Sequence, residues 1–148
     1  MGLLLDYFFG PDGPYGAMFP ITGVGQNIDR YVESIFTEET DAGKRFRKFN
    51  EGAEKAPPGA NSLFINPFRE QDRIPELAKE YLASHSTEDV CRAVMEGGAF
   101  EFKKRMDRMA KIGLDPKKIN LSGGPSSSRL WAQILSEITG SSLYILHG

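Results

Sequence analysis

An α/β fold follows from the second half of this sequence, where helix, strand, helix and strand succeed one another. A long helical pattern opens at Ser86 or Thr87 and closes at Gly113. A short apolar strand then covers 119–122. After Gly123-Gly124-Pro125 comes an amphipathic helix with Leu130, Ile134 and Ile138 at steps of four and Trp131 and Leu135 alongside. A last strand, 143–146, follows a left-handed cap at Gly140. Alternation in that order implies strands joined by crossover helices, hence a sheet with helices packed on it. The chain stops just after a strand with no covering helix, so the layer is expected to be incomplete.

Taken in order, residues 3–9 read as a strand ended by the turn cluster Gly10-Pro11-Asp12-Gly13-Pro14, and 19–24 as a second, more broken strand. Asn27 is a candidate cap for a helix through Phe36, because its side chain can accept an orphan amide hydrogen; Ile28, Tyr31, Val32 and Ile35 share one side. Residues 37–45 are polar and read as a surface connection. A helix over 46–55 is stopped by Pro57-Pro58-Gly59, and the basic cluster Lys44, Arg45, Arg47 and Lys48 reads as a solvated face. Residues 62–65 form an apolar strand leading into Asn66-Pro67. The charged stretch 68–79 reads as irregular, since Pro67 and Pro75 break regular elements. In the long helix, Val90, Val94, Gly98, Phe102, Met106 and Met109 mark one face, widened by Cys91 and Met95, with Lys103, Lys104, Arg108 and Lys111 on the solvated side. Cys91 reads as a buried small hydrophobe. Each glycine of Gly97-Gly98 costs about 1 kcal/mol relative to alanine inside a helix, which points to a backbone packed closely against them.

Composition narrows the function classes. With 148 residues, 40% of them hydrophobic and 26% charged, the chain has the make-up of one soluble domain with its own core. A net charge of −2 argues against a general nucleic-acid binder. A single cysteine excludes an internal disulfide and suits a reducing cytoplasm. His85 and His147 stand far apart with no cysteine cluster, so no metal site is assigned. The apolar start Leu3-Leu4-Leu5 is interrupted by Asp6 and is too short for a membrane span. A soluble, cytoplasmic protein is expected.

The stretch with most chemical content is the turn between the last two strands. A strand, a glycine pair and a helix N-terminus favour a phosphate-bearing ligand: exposed amides and the helix dipole attract negative charge, and glycine lets the ligand approach the backbone. Ser126, Ser127 and Ser128 are the candidate N-caps. The pattern is neither a Walker loop nor GxGxxG, and a plain βα connection uses the same residues. Trp131 and Ile134 are expected to serve the core alone.

Four blocks, in order, resemble the carboxy-terminal domain of the FGGY carbohydrate kinases. Phe46-Arg47-Lys48-Phe49-Asn50 through Pro57-Pro58-Gly59-Ala60 resembles a family helix ending in a proline–glycine turn. Leu63-Phe64-Ile65-Asn66-Pro67-Phe68 is similar to the family's LLFLPYL, running into Gln71-Asp72-Arg73-Ile74-Pro75 in register with GERTP. Arg92-Ala93-Val94-Met95-Glu96-Gly97-Gly98-Ala99-Phe100 resembles RAVLEGVAF. Ser122-Gly123-Gly124 through Arg129-Leu130-Trp131-Ala132-Gln133-Ile134-Leu135 resembles GGGAKSPLWRQIL. The likeness spans roughly residues 28 to 146.

That resemblance implies a ribonuclease-H-like, actin-type ATPase domain with a mixed sheet, ATP and Mg2+ as cofactors, and a sugar substrate held mainly by an amino-terminal domain missing from this chain. It places the nucleotide against Gly123, Gly124 and Pro125, with Ser128 as the side chain that reaches it. It leaves room for a homodimer and gives no role to nucleic acid or membrane. Glu96 and Arg73 match structural positions. Pro125 stands where the family has Gly or Ala and offers no amide donor; Gln71-Asp72 replaces Gly-Glu. The family's general-base carboxylate lies upstream of the matched region, and neither Asp6 nor Asp12 stands in its motif, so no catalytic residue is assigned. The leading expectation is the nucleotide-binding half of a sugar kinase. The alternatives are a non-catalytic nucleotide-binding or regulatory module on the same fold, and a plain structural domain.

Overall fold

The computed structural model describes residues 4–7, 15–18, 23–122 and 124–145. Strands β1 (Leu4–Tyr7) and β2 (Tyr15–Met18) pair antiparallel, with Leu4 opposite Met18 and Tyr7 opposite Tyr15. β1 falls within the expected 3–9, whose other residues lie outside the described ones. The second strand comes earlier than expected: of 19–24, residues 19–22 lie outside the described residues, and Val24 already begins helix α1 (Val24–Ile35).

The cap of α1 is Gly23, in the left-handed region at φ 77°, and not Asn27. Glycine enters that region without steric cost, so the helix starts one turn sooner, and the Asn27 amide already bonds to the Gly23 carbonyl at 2.9 Å. Ile28, Tyr31 and Val32 are buried as expected. Helix α2 (Ala42–Lys55) also starts earlier, because Asp41 accepts from the Lys44 amide at 2.7 Å and caps it; residues 42–45 are helical, not a connection.

Residues 62–65 do not form a strand. Gly59, Ala60, Asn61 and Ser62 all have positive φ (82°, 44°, 52° and 72°), and a 3-10 turn covers Ala60–Ser62. Leu63 and Ile65 are buried, but the partner of this segment is helix α4 (Thr87–Ala110), against which the Ile65 carbonyl is pressed at Gly97. The stretch expected to be irregular contains helix α3 (Ile74–Ser84), preceded by a 3-10 turn at Gln71–Arg73. Pro75 lies in the first helical turn, where its missing N–H removes no helical hydrogen bond.

Helix α4 is the centre of the fold. The Ser86 hydroxyl caps it by accepting from the Asp89 amide at 3.1 Å, and Gly113, at φ 83°, follows its end. The expected one-sided stripe is right for the C-terminal half only. From Val90 to Ala99 every residue is buried, because α2 and α5 cover two sides and the segment at Leu63–Ile65 a third. Both glycines are in close contact, as expected. A Cβ on Gly97 would lie 1.8 Å from the Ile65 carbonyl oxygen, and one on Gly98 would lie 2.8 Å from Trp131 Cη2.

Strand β3 (Lys118–Leu121), helix α5 (Arg129–Thr139) and strand β4 (Ser142–Ile145) form the expected parallel crossover, with Lys118 opposite Ser142 and Leu121 opposite Ile145. Gly140 ends α5 at φ 69° as predicted. Trp131, Ile134 and Leu135 are buried against α4. Among the described residues the strands make two separate two-stranded sheets, so the architecture is a helix-rich α/β layer.

Cys91 is fully buried, facing Gly52 of α2, where a Cβ would sit 3.3 Å from its sulfur. Burial first, and then the Glu88 charge, push its thiol up to about 12 from the ordinary 9.0. The fold favours the neutral thiol, so this contribution to stability is fully present below about pH 9 and is lost as pH rises toward 12. At pH 8 the folded protein is expected to resist an aromatic disulfide reagent and to react promptly once urea unfolds it. Fast labelling without denaturant would contradict the packing of α2 on α4.

Candidate nucleotide-binding site

Phe46, Phe49 and Asn50 follow one another at helical steps of three and one, which aligns them on one face of α2. That face looks across a cavity of about 530 Å3 toward α1 and the N-terminus of α5, with Met95 of α4 also in the lining. The volume is in the range of small-molecule pockets. Ile28, Phe49, Met95 and Trp131 give it buried apolar walls. Phe46 is partly exposed and meets Phe49 edge-on, with ring centroids 6.5 Å apart at 82°. Asp29 of α1 and Arg47 of α2, both exposed, bring opposite charges to the lining. Partial burial, and then the nearby Glu33 charge, raise the Asp29 carboxyl above its ordinary range.

Ser127 and Ser128 complete the wall, so the positive end of the α5 dipole is on the cavity. Of the three serines offered as caps, the structure selects Ser128. Its oxygen accepts from the Trp131 amide at 3.1 Å, while its hydroxyl donates to Asn50 Oδ1 at 2.5 Å. The other end of the Asn50 amide donates to the Phe46 carbonyl at 2.7 Å.

The four sequence candidates are placed unequally. Gly123 lies outside the described residues. Gly124 and Pro125 belong to the 3-10 turn Gly124–Ser127, which leads straight into the cavity wall. Ser128 is in the wall itself. Trp131 has two duties, since it is a core residue and also lines the cavity; Ile134 does not touch this cavity. Arg47, read as part of a solvated face, borders the cavity, whereas its neighbours Arg45 and Lys48 pair with Glu33 at 3.5 Å and Glu39 at 3.1 Å. Ile28, Asp29, Phe46, Phe49 and Asn50 were not singled out as site residues. The 46–49–50 spacing showed a face, but nothing local told what it faces.

A second cavity, of about 390 Å3, lies on the other side of α4. Its polar groups are already engaged: Arg92 Nε meets Glu96 Oε1 at 2.6 Å, and both Glu96 oxygens accept from the Gly59 amide, at 3.1 and 3.2 Å. Phe64 and Phe100 stand at its edge, ring centroids 5.9 Å apart. Glu96 is thus a buried structural anchor. Arg73 is an exposed residue paired with Glu70 at 2.5 Å and Glu80 at 3.4 Å.

Among the described residues no group of three or more His, Cys, Asp or Glu side chains is arranged to hold a metal ion. Nor is any described helix long and apolar enough to cross a membrane.

Known proteins resemble the chain in sequence and in fold. It is 30% identical over 106 residues to the xylulose kinase of Haemophilus influenzae, covering 67% of this chain and 22% of that protein. It is 25% identical over 131 residues to the xylulose kinase of Staphylococcus epidermidis, covering 84% of this chain and 25% of that one. The chain thus spans about a quarter of the length of these curated relatives. The crystal structure of xylulose kinase from Rhodospirillum rubrum superposes with a TM-score of 0.74 at 21% identity, over 99% of this chain and 30% of that one, which shows a shared fold. Residues 12–147 match the model of the C-terminal domain of the FGGY family of carbohydrate kinases. With nearly the whole sequence inside that match, the chain belongs to the FGGY family and corresponds to its C-terminal domain.

Proposed function

We propose that this chain is the ATP-binding half of a xylulokinase-like carbohydrate kinase, on an actin-type ATPase domain, and that the cavity between α1, α2 and the N-terminus of α5 receives the adenosine of ATP. One observation carries the reading: Ser128, the side chain that the family resemblance assigns to the nucleotide, stands in the wall of a pocket with aromatic sides. Phe46, Phe49 and Trp131 suit the flat faces of a base, and Asp29 offers a carboxylate to sugar hydroxyls. The Gly124–Ser127 turn and the dipole of α5 favour the negative charge of phosphates.

In the intact kinase a carboxylate outside this chain would take the proton from a sugar hydroxyl, which then attacks the γ-phosphorus in line as the bond to ADP breaks. The residues of this chain contribute binding and orientation, and no step is assigned to a metal here. Sugar recognition also lies with the other domain, so the chain alone is expected to bind nucleotide without turning it over.

An NMR titration with ATP tests this. Half a cleft supplies half the contacts, so the dissociation constant should be around millimolar, about −4 kcal/mol. Shifts should cluster at Ile28, Phe46, Asn50 and 124–131 and be lost in folded Gly124→Val, whose branched side chain blocks approach to the turn. The same sample with a pentulose added should release no ADP. Shifts elsewhere, or unchanged binding by the variant, would reduce the turn to a structural loop; steady ADP release would refute the division of labour.

A further inference from the structure

We propose that the second cavity, on the far side of α4, binds a small apolar monocarboxylate through the terminal nitrogens of Arg92. The proposal is independent of the nucleotide reading, which concerns the other cavity. A guanidinium carries five N–H donors, and Arg92 is only 6% exposed, so its donors depend on partners inside the fold. Nε is spent on Glu96 Oε1 at 2.6 Å. Nη1 and Nη2 make no hydrogen bond among the described residues. Nor are they sealed away, since the fully buried, unpartnered polar atoms among the described residues are Asn27 Nδ2 and Arg105 Nε. Arg92 lines the cavity, so that is where the open edge of its guanidinium is turned.

That edge sets the head of the ligand. A planar fork of N–H groups matches the two oxygens of a carboxylate, and such charge-assisted pairs are the strong ones. The surrounding charge limits the head to one negative unit. Glu96 already offsets Arg92, and Glu137, exposed at the rim, adds a second carboxylate. A dianion such as phosphate would bring more negative charge than the guanidinium can meet. The walls set the body, because Leu63, Phe64, Phe100, Ile134 and Ile138 are all apolar. Phe64 and Phe100 are 59% and 46% exposed at its edge, and an apolar body laid on them removes that surface from water. At about 390 Å3 the cavity lies near the lower end of small-molecule sites, which suits a compact ligand.

The test is an NMR titration of the wild-type chain with phenylpropionate, with phenylpropanol as its uncharged counterpart, and with inorganic phosphate. Phenylpropionate should bind with a dissociation constant around millimolar, as expected of so small a ligand. It should bind about tenfold more tightly than the alcohol, because it alone offers Arg92 a charged acceptor. Phosphate should bind more weakly than the acid. Shifts should cluster at Phe64, Arg92, Phe100 and Ile138, away from Phe46 and Ser128 in the nucleotide cavity. Arg92→Lys keeps a cation for Glu96 but has no fork, so it should bind the alcohol as before and lose the preference for the acid. Where Arg92→Lys does not fold, the three ligands on the wild type decide. Equal binding of acid and alcohol would reduce the site to an apolar groove, and phosphate binding as tight as the acid would make Arg92 an unselective anion contact. Either result overturns the proposal. So does a folded Arg92→Lys that keeps the preference, or a folded wild type that does not bind the acid at millimolar concentration.

Discussion

Gly97→Ala is expected to cost about 3 kcal/mol or more, although alanine is the better helix former by about 1 kcal/mol. Two effects of opposite sign compete, and the geometry decides between them. The new methyl would lie 1.8 Å from the Ile65 carbonyl oxygen and 3.0 Å from Pro67 Cδ. The first of these is backbone, anchored by the buried side chains of Leu63, Ile65 and Pro67, so relief requires separating that segment from α4. Gly98→Ala meets side chains alone, the far end of the Trp131 ring at 2.8 Å and Ile28 Cδ1 at 3.6 Å, and should cost less, because side chain tips can shift. Gly25→Ala, on α1, meets nothing within 4 Å and should stabilise by roughly 0.5–1 kcal/mol. Urea denaturation midpoints should therefore fall in the order Gly25→Ala, wild type, Gly98→Ala, Gly97→Ala. A Gly97→Ala protein as stable as the wild type would mean that the Leu63–Ile65 segment does not press on α4.

Arg92→Met should destabilise by about 3–5 kcal/mol, a large part of the total for a domain of this size, because it strands a buried carboxylate. Arg92 and Glu96 are both nearly inaccessible and meet at 2.6 Å one helical turn apart. Removing the cation leaves Glu96 with only the Gly59 amide to satisfy two oxygens. The double variant Arg92→Met, Glu96→Met removes both charges and should recover much of the loss, since paired buried ions contribute little net stability over apolar residues. Recovery should stop just short of wild type, because the amide of the exposed Gly59 exchanges a carboxylate acceptor for water. A double-mutant cycle by chemical denaturation measures each step. Additive single effects would show that the two side chains do not depend on one another.

The legible parts of this fold are those whose causes are local. Ser86, Gly113 and Gly140 mark helix ends through a cap hydroxyl and left-handed glycines, and all three stand where the sequence put them. The parallel crossover of β3, α5 and β4 also follows from local order alone. Misreadings arose where one residue type has two uses. Pro75 breaks a helix interior but is harmless in a first turn, and Asn27 caps helices but here is buried inside one. Residues 62–65 have the apolar run of a strand, yet their partner is a glycine in a helix more than thirty residues on, which no periodicity records. The site divides in the same way. Ser128 was visible from the glycine turn and the family motif; Asn50, Phe46, Phe49 and Ile28 reach it only through the packing of α1 and α2. Gly123 lies outside the described residues.

The run of left-handed residues from Gly59 to Ser62 ties the shape of this turn to helix α4. Each of Ala60, Asn61 and Ser62 gives up on the order of 1–3 kcal/mol to hold a positive φ, a conformation that an isolated chain visits rarely. What compensates them arrives from α4: Asp89 Oδ1 accepts from Asn61 Nδ2 at 2.8 Å, and Glu96 accepts from the Gly59 amide. Those carboxylates are 28 and 37 residues further along, and they add long-range support to the local bonds of the turn, in which the Ala60, Ser62 and Leu63 amides donate to the Pro57, Gly59 and Ala60 carbonyls at 2.9, 2.8 and 3.0 Å. Asp89 and Glu96 reach the turn only where α4 lies packed on α2, so this support depends on that packing. The turn from Gly59 to Ser62 thus loses both of its long-range bonds when α4 moves away, and keeps only those that its own backbone makes.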